Sequence, residues 1–311
     1  VGGFCILNAL IPICSSYLRA FGFSKEPLYA SIIGNVINFC LNAFFLFVLH
    51  KGVAGVATAT VVSRIINLVI VVLLGAVLVK AKKHPERESN REVMGQIIRI
   101  GLPSACETAI YNVSMTLVIR FLNQMDAQGL NVTARSYTMQ ITNFSYCVGA
   151  ALAQANAIMT GWRIGAKEYD ACDRGTRKAA IIGVIVAVIL ETMFALCSGW
   201  IMQLFSKDPQ MVSLVGKLLA IDIVLEMGRV TNLVYGQALK TSGDAVFPVV
   251  MGACFMILCS VGGTYLFGIR LGLLAVGAYI GMAGDECVRA IGMYLRWKSG
   301  KWKQKGLVKS R

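Results

Sequence analysis

Ionisable side chains inside otherwise apolar stretches are the chemically most informative feature of this sequence. Glu226, Arg229 and Asn232 follow one another at intervals of three residues within one such stretch. In a helix this spacing places neighbouring members on roughly one face, so Glu226 and Arg229 can form an ion pair. Charges inside a membrane are costly unless they are paired, and they usually mark ion or substrate pathways. The three residues therefore indicate either a cation-linked gate that faces a cavity or a fixed structural salt bridge.

Two further acidic residues occupy comparable positions. Glu107 follows Pro103 by one turn, and a proline in a membrane helix frees a backbone carbonyl that local polar groups must satisfy. Asp222 lies one turn before Glu226, nearer the predicted outer end of its stretch, where a solvated interfacial position is the simpler interpretation. Carboxylate oxygens suit hard cations such as Na⁺, whereas a carboxyl group buried in apolar surroundings can instead carry a proton. The sequence does not choose between the two ions.

A third charged group lies near the C-terminal end of the chain. Arg289 follows Asp285 by four residues and Glu286 by three, so both local pairs can form on one helix and structural ion pairs are expected. Neutral polar side chains in membrane helices either line an aqueous cavity or bond to a neighbouring helix. The residues for which we expect substrate contact on this basis are Asn112, Gln140 and Asn143.

The elements that must position these residues are long apolar stretches. Hydrophobic residues make up 56% of the chain and charged residues only 15%, compared with roughly 25% charged residues in soluble domains. About 20 apolar residues span a bilayer core as a helix, in which the backbone satisfies its own hydrogen bonds. The sequence thus predicts an all-α integral membrane protein with nine transmembrane helices, at residues 1–18, 28–49, 53–79, 97–121, 135–160, 179–204, 211–238, 246–268 and 272–296.

The number of basic residues alternates between high and low from one loop to the next along the chain. Loops on one side carry 21 Lys and Arg residues, whereas loops on the other side carry six. The positive-inside rule assigns the first set to the cytoplasm, which places the C-terminus there and Val1 on the outer side. Membrane topology accounts for the net charge of +14, so we expect no nucleic-acid partner. Val1 already lies in an apolar run, and we expect that earlier helices are missing.

Two parts of the sequence resemble each other. Leu18 to Gly22, followed by Pro27, matches the stretch that begins at Leu239 with an offset of 221 residues. A glycine-rich helix start at Gly52 matches another at Gly272 with an offset of 220. The first three predicted spans therefore match the last three, which gives a repeat unit of six helices. An even unit preserves orientation, so the two copies are parallel repeats about an axis along the membrane normal.

The repeat predicts a protein of twelve helices in two six-helix lobes, of which this chain holds nine. The expected parts are residues 1–79 as the last three helices of the N-terminal lobe, 80–96 as a cytoplasmic inter-lobe linker, 97–296 as the six-helix C-terminal lobe and 297–311 as a basic cytoplasmic tail.

The residues that enzymes and metal centres require are scarce. The ten cysteines are scattered without a CxxC or Cys/His spacing, and the two histidines, His50 and His84, lie in predicted loops. The sequence therefore offers few of the histidine and cysteine ligands of a metal site and few histidines for Ser-His-Asp catalysis. We therefore expect no enzyme activity and no cofactor.

Short motifs occur along the whole chain in a characteristic order. They are YLRAFG at 17–22, GNVIN at 34–38, GVAGVATAT at 52–60, IGLP at 100–103, GWRIGAK at 161–167, EMGR at 226–229 and DE at 285–286. In this order they resemble the fourth to twelfth helices of the multidrug and toxic-compound extrusion (MATE) family, in a bacterial subgroup. The resemblance implies a V-shaped bundle of two lobes that exports drugs or organic, often cationic, compounds in exchange for Na⁺ or H⁺ by alternating access.

The resemblance also implies functional residues. In Na⁺-coupled members, an acidic residue in the seventh helix forms the cation site with one in the tenth. In this chain Glu107 lies about one turn nearer Pro103 than that position, and Tyr111 stands nearer the expected place. The implied Na⁺ or H⁺ site comprises Glu107, Glu226 and Asp222. The residues expected to serve gating or substrate binding are Arg229 and Asn232 from their spacing, Asn112, Gln140 and Asn143 from their polarity, and Tyr111 from its place in the resemblance.

Other functions remain open on the sequence alone. A lipid-linked oligosaccharide flippase has a similar helical framework, but it requires a more strongly cationic cavity for a pyrophosphate. A membrane-embedded enzyme and a non-transporting scaffold are further alternatives. The family resemblance implies a monomeric multi-pass protein of the bacterial inner membrane, with the coupling ion in place of a cofactor. Its partners are then membrane lipids and small organic substrates.

Overall fold

The computed structural model describes residues 4–79, 90–126 and 128–305 of the chain. All regular secondary structure within these ranges is helical, as expected where the backbone has to satisfy its own hydrogen bonds. The helices are α1 (Cys5–Ala20), α2 (Lys25–Ala43), α3 (Gly52–Leu78), α4 (Asn90–Met125), α5 (Leu130–Gly165), α6 (Tyr169–Leu196), α7 (Ser198–Met202), α8 (Pro209–Thr241), α9 (Val246–Phe255) and α10 (Leu274–Lys298). Helix α2 continues as a π-helix at Phe44–Val48, and α9 continues as π-helices at Met256–Val261 and Thr264–Arg270.

Each predicted apolar stretch coincides with a long helical segment in the described residues. Four segments are long and apolar enough to cross a bilayer by length and composition alone: Lys25–Val48, Gly52–Leu78, Tyr169–Leu196 and Val246–Arg270. Ile6–Ala20 is also apolar but shorter than these four. The helical membrane architecture therefore agrees with the sequence analysis, and the count of nine transmembrane helices stays a prediction.

The chain divides into two compact units, Val1–Arg87 and Glu88–Arg311. In the first unit, α1 and α2 both pack against α3. Its small core contains Leu18, Ala30 and Val71. Residues 80–89 of the predicted linker lie outside the described residues, and the rest of that linker is helical because α4 already begins at Asn90. The linker bounds 80–96 stay a prediction.

Helix α8 is the central element of the second unit, where it packs against α5, α6 and α10. Buried residues occur on all sides of it, as expected for a helix enclosed by neighbours. Apolar positions fill both halves of α8, while its middle carries Asp222, Glu226, Arg229 and Asn232. The packing of α8 therefore brings the charged residues highlighted by the sequence into the interior of this unit.

The C-terminal end of α10 packs onto the turn between α8 and α9. Trp302 is buried and stacks on Trp297 at a ring distance of 4.1 Å. Asp244 in that turn accepts hydrogen bonds of 2.7 Å from Arg296 and Lys305. Burial acts to raise the pKa of Asp244, but these two cations hold it below its usual value. The predicted tail from 297 thus starts inside α10 and is docked as far as residue 305, while 306–311 lie outside the described residues.

The sequence repeat is visible in the turns that end α1 and α8. Gly22 and Gly243, 221 residues apart, have φ angles of +91° and +90°. After each glycine, the next amide donates to the carbonyl oxygen five residues earlier, at 3.0 Å for Leu18 and 2.9 Å for Leu239. This left-handed glycine ending is a common way to close a helix. The first landmark of the repeat therefore has matching backbone geometry in both copies.

The second landmark is displaced from the predicted match of Gly52 with Gly272. The backbone instead pairs Gly52 with Leu274, at φ +54° and +52°, and His50 with Gly272, at φ +48° and +68°. The offset is therefore 222 rather than 220. Matching glycine with glycine gave the wrong offset, because each copy has a non-glycine residue, His50 or Leu274, at one of its two left-handed positions.

Gly277 marks a close approach between α10 and the π-helix Thr264–Arg270. A Cβ atom at this position would lie 2.6 Å from the backbone nitrogen of Gly268, whereas one at Gly284 on the same helix would meet nothing within 4 Å. We expect Gly277→Ala to lower the free energy of unfolding by about 1–3 kcal/mol, the usual cost of overpacking. Gly284→Ala is the matched control and should not destabilise the protein. Thermal unfolding of the detergent-solubilised variants measures the difference, and equal midpoints would contradict this packing.

Candidate functional site

The second unit contains a cavity of about 490 Å³ bounded by α4, α5, α8, α10 and the α9 segment. Five methionines and three tyrosines contribute to its wall: Met115, Met139, Met256, Met282, Met293, Tyr111, Tyr146 and Tyr279. Methionine is flexible and polarizable, so a wall of this kind adapts to ligands of different shape. The volume lies within the range of about 300–1,000 Å³ that is typical of small-molecule sites.

Charged side chains also line this cavity, in equal numbers of each sign. The basic ones are Arg135, Arg229, Lys240 and Arg289, and the acidic ones are Glu107, Asp222, Asp285 and Glu286. Arg135 lies in the second turn of α5 and Lys240 in the last turn of α8.

Helical periodicity decides which of the predicted polar residues reach the cavity. On α5 the lining positions include Met139, Thr142, Asn143 and Tyr146, and Gln140 is turned away from them. On α4 the lining positions are Glu107, Thr108, Tyr111 and Met115, and Asn112 lies off this face. Asn143 and Tyr111 thus line the cavity as expected. Asn112 and Gln140 are exposed and do not line this cavity, and substrate contact by them stays a prediction.

Arg229 joins two helices at the wall of the cavity. Its Nη1 donates to Glu226 Oε2 at 2.7 Å, and its Nε lies 3.8 Å from Glu286 Oε1 on α10. Asn232 donates from Nδ2 to the other oxygen of Glu286 at 3.1 Å. The Glu226 side chain is fully buried behind the lining residues. The pair expected within α8 is therefore part of a network that also connects α8 to α10.

Arg289 is the centre of the second ion-pair group. Its Nε and Nη2 donate to the two carboxylate oxygens of Asp285, at 3.0 and 2.9 Å, and Nη2 lies 2.8 Å from Glu286 Oε1. Ser260 adds a hydrogen bond of 3.0 Å to Asp285 Oδ2. Local pairing on α10 thus forms as the spacing indicates. These residues also line the cavity, which the purely structural interpretation did not anticipate.

Glu107 is paired with a cation of its own. Lys240 Nζ lies 2.6 Å from Glu107 Oε2, so the pair connects α4 to the end of α8. In this conformation the Glu107 carboxylate is therefore not a free ligand for a small cation. Across the described ranges no group of three or more His, Cys, Asp or Glu side chains is arranged to hold a metal ion. The three predicted cation ligands Glu107, Glu226 and Asp222 do not form a common cage here.

Two acidic residues are more deeply buried than the sequence indicated. Asp222 is 2% exposed, so the solvated interfacial interpretation of this residue is wrong. Glu191 on α6, to which the sequence analysis assigned no role, is fully buried and faces α8. An acidic residue in the middle of an apolar span is the signal that marks it. The sequence did not predict what Glu191 contacts, because no basic residue lies three or four positions away from it in α6.

Arg135 is a second residue that sequence reasoning missed. It is 7% exposed, and its Nη2 contacts the sulfur of Met115 at 3.7 Å. Among the described residues no carboxylate lies within ion-pair distance of its guanidinium. Its Nε is buried without a hydrogen-bond partner in the same set. Arg135 therefore offers an uncompensated positive charge at the cavity wall.

Known proteins similar to this chain share its family and its fold. The MatE family model matches residues 103–266. The uncharacterized transporter YisQ of Bacillus subtilis (strain 168) is 34% identical over 314 residues, which cover 99% of this chain and 69% of that protein. The probable multidrug resistance protein YoeA of the same strain is 22% identical, with coverage of 95% and 65%.

Solved structures show the same fold. MATE in complex with MaL6 superposes with a TM-score of 0.85 at 18% identity, covering 96% of this chain and 68% of that one. The MATE transporter ClbM in complex with Rb⁺ gives a TM-score of 0.78 at 18% identity, with coverage of 92% and 64%. The chain thus spans about two thirds of the length of these proteins. With a family model that matches more than half of it and a relative at 34% identity, the chain belongs to the MatE family of membrane transporters.

Proposed function

We propose that the whole protein is a secondary active antiporter that exports drugs or other organic compounds in exchange for Na⁺ or H⁺ by alternating access. The observation that carries this proposal is the cavity of about 490 Å³, with an adaptable methionine and tyrosine wall and charges of both signs. The names of two relatives support it, since YoeA and the NorM protein of Thermotoga maritima are called probable multidrug resistance proteins. The function is not enzymatic.

The proposal includes the architecture expected from the sequence. Nine transmembrane helices belong to a twelve-helix protein with two parallel six-helix lobes, and the second unit is the C-terminal lobe. The protein is a monomer in the bacterial inner membrane with its C-terminus in the cytoplasm. Membrane lipids and small organic substrates are its partners, and it binds no nucleic acid.

Competition between the coupling ion and the substrate drives the proposed cycle. Five acidic residues are buried around α8 and α10: Glu191, Asp222, Glu226, Asp285 and Glu286. In the described part of the chain, the only bases that pair with any of them are Arg229 and Arg289. This negative excess favours binding of a small cation or a proton. If the ion and an organic substrate prefer different conformations, their differential affinity moves the protein between them. In this scheme Asp222, Glu226 and Glu107 serve the ion, while Arg229, Asn232, Tyr111 and Asn143 serve gating or substrate binding.

The lipid-linked oligosaccharide flippase is the weaker candidate. Pyrophosphate recognition requires clustered, unopposed basic groups. In the described cavity the four basic residues are matched by four acidic ones, and most of the basic groups are already paired with carboxylates.

The test uses the full-length protein in proteoliposomes. Export of a cationic dye is driven by an imposed Na⁺ gradient or an imposed H⁺ gradient. We expect gradient-driven export by the wild type and a loss of at least about tenfold in Glu226→Gln and Asp222→Asn, because buried ionisable residues in membranes serve transport pathways. Glu168→Gln changes an exposed carboxylate and is the matched control. If the wild type exports no dye with the Na⁺ gradient and none with the H⁺ gradient, the proposal is overturned. Scrambling of a pyrophosphate-linked lipid without dye export would favour the flippase.

A further inference from the structure

Glu191 is a buried acid that the site described above does not use. It lies in α6, and its side chain has no solvent exposure. Within the described residues, neither of its carboxylate oxygens has a hydrogen-bond partner. Leaving an ionised carboxylate in such surroundings without a partner is expensive, so burial alone favours the protonated form.

The groups that face Glu191 come from two neighbouring helices. Asp222, Glu226 and Arg229 on α8 interact with it electrostatically. Ser145 on α5 is also close, but no hydrogen bond of normal geometry joins the two side chains. The short helix α7, which also packs against α6, contributes no ionisable residue. Two acidic residues and one base therefore surround Glu191.

The one nearby base is already committed to other acids. Arg229 lies 2.7 Å from Glu226 and 3.8 Å from Glu286, and no ion pair within 4 Å joins it to Glu191. Unpaired oxygen atoms are concentrated at the junction of α5, α6 and α8. In the described residues the buried atoms there that lack a partner are both carboxylate oxygens of Glu191, Asp222 Oδ2, Glu226 Oε1 and Ser145 Oγ. This concentration of acceptors calls for a positive species.

A proton fits this junction better than a metal ion. The described side chains do not form a group of three acidic, histidine or cysteine residues close enough to hold a metal. A proton needs no coordination shell and converts one acceptor into a donor. Asp222 connects the junction to the cavity, because Asp222 lines the cavity. Glu191 does not line it.

We propose that Glu191 is a proton-binding residue of the transport cycle, loaded from the cavity through Asp222. The O–H bond to Asp222 breaks as the O–H bond to Glu191 forms, so one positive charge moves inward and no other bond changes. Arg229 controls release of this proton. A shift of its guanidinium from Glu226 toward Glu191 stabilises the ionised form and returns the proton to the cavity. This inference rests on the proposed antiport function, which it deepens by naming the coupling ion and its site.

The first test detects the proton directly and does not require transport. Difference infrared spectra of the full-length protein are recorded between low and high pH, in H₂O and in D₂O. We expect a carbonyl band of a buried, protonated carboxyl group in the wild type and in the Glu168→Gln control. Glu191→Gln should abolish this band. A band unchanged in Glu191→Gln would overturn the proposal.

The second test connects the proton to export. In proteoliposomes we expect dye export driven by a pH gradient to fall at least about tenfold in Glu191→Gln, and to be partly retained in Glu191→Asp, because only a titratable side chain carries the proton. Glutamine is nearly isosteric with protonated glutamate, so Glu191→Gln should elute as a monodisperse peak. If Glu191→Gln does not elute as a monodisperse peak, Glu191→Asp is used in both tests. An infrared band and a pH dependence of export in Glu191→Asp identical to those of the wild type would then overturn the proposal.

The two proposals fail in different ways. If the wild type exports dye with a Na⁺ gradient alone and Glu191→Gln does the same, antiport stands and the Glu191 proposal is overturned. If the wild type exports nothing under either gradient, the antiport proposal is overturned together with the transport role of Glu191.

Discussion

Replacing Arg229 with methionine should abolish gradient-driven export and destabilise the protein. Arg229 is the base closest to Glu226, which is fully buried, and it also approaches Glu286 on α10. Removal of one partner from a buried ion pair costs about 3–5 kcal/mol, because the remaining charge is left uncompensated. Thermal unfolding in detergent and dye export in proteoliposomes measure the two effects. Arg120→Met, which changes an exposed arginine on α4, is the matched control.

A double variant distinguishes a gate from a fixed salt bridge. Arg229→Met combined with Glu226→Gln leaves no uncompensated charge in this pair, so we expect stability to return to near that of the wild type. Export should remain absent if Arg229 has to move between carboxylates during the cycle. Arg229→Lys would not substitute for the arginine, because an ammonium group lacks the planar guanidinium that approaches Glu226 and Glu286 together. Glu226→Gln alone is also expected to lose export, so recovery of export in the double variant would show that both Arg229 and Glu226 only stabilise the fold.

The second large effect is expected for Arg289→Met, and it concerns stability first. The Arg289 side chain is 7% exposed and binds both oxygens of Asp285 as well as Glu286. Its loss leaves two buried carboxylates next to each other, so we expect a decrease of about 3–5 kcal/mol or more in the free energy of unfolding. Thermal unfolding compared with Arg270→Met, which changes an exposed arginine at the end of the π-helix Thr264–Arg270, measures this decrease.

Neutralising the acids should rescue the Arg289 variant. The triple variant Arg289→Met, Asp285→Asn, Glu286→Gln retains the shape of the group and leaves no buried carboxylate of this group without its partner. We expect most of the lost stability to return. An unfolding midpoint in Arg289→Met equal to that of the wild type would contradict the pairing. If the triple variant stayed as unstable as the single one, packing of the arginine stem rather than charge would explain the loss.

The sequence by itself determined the features that depend on neighbours along the chain. Apolar length predicted where helices occur, because a backbone in lipid has to bond to itself. Spacings of three and four residues predicted the pairs Glu226–Arg229 and Asp285–Arg289, since helix geometry brings such residues together. The repeated glycine turn at Gly22 was equally readable from local pattern.

Only the tertiary structure decided which helix each polar side chain faces. Lys240 pairs with Glu107 across 133 residues, Arg229 reaches Glu286 on another helix, and Glu191 faces α8 rather than lipid. In a soluble protein, the apolar side of a helix indicates its inward face. In a membrane both lipid and protein interior are apolar, so hydropathy does not distinguish the two directions. The burial of Asp222 and Arg135 followed from packing for the same reason, and their positions in the sequence did not reveal it.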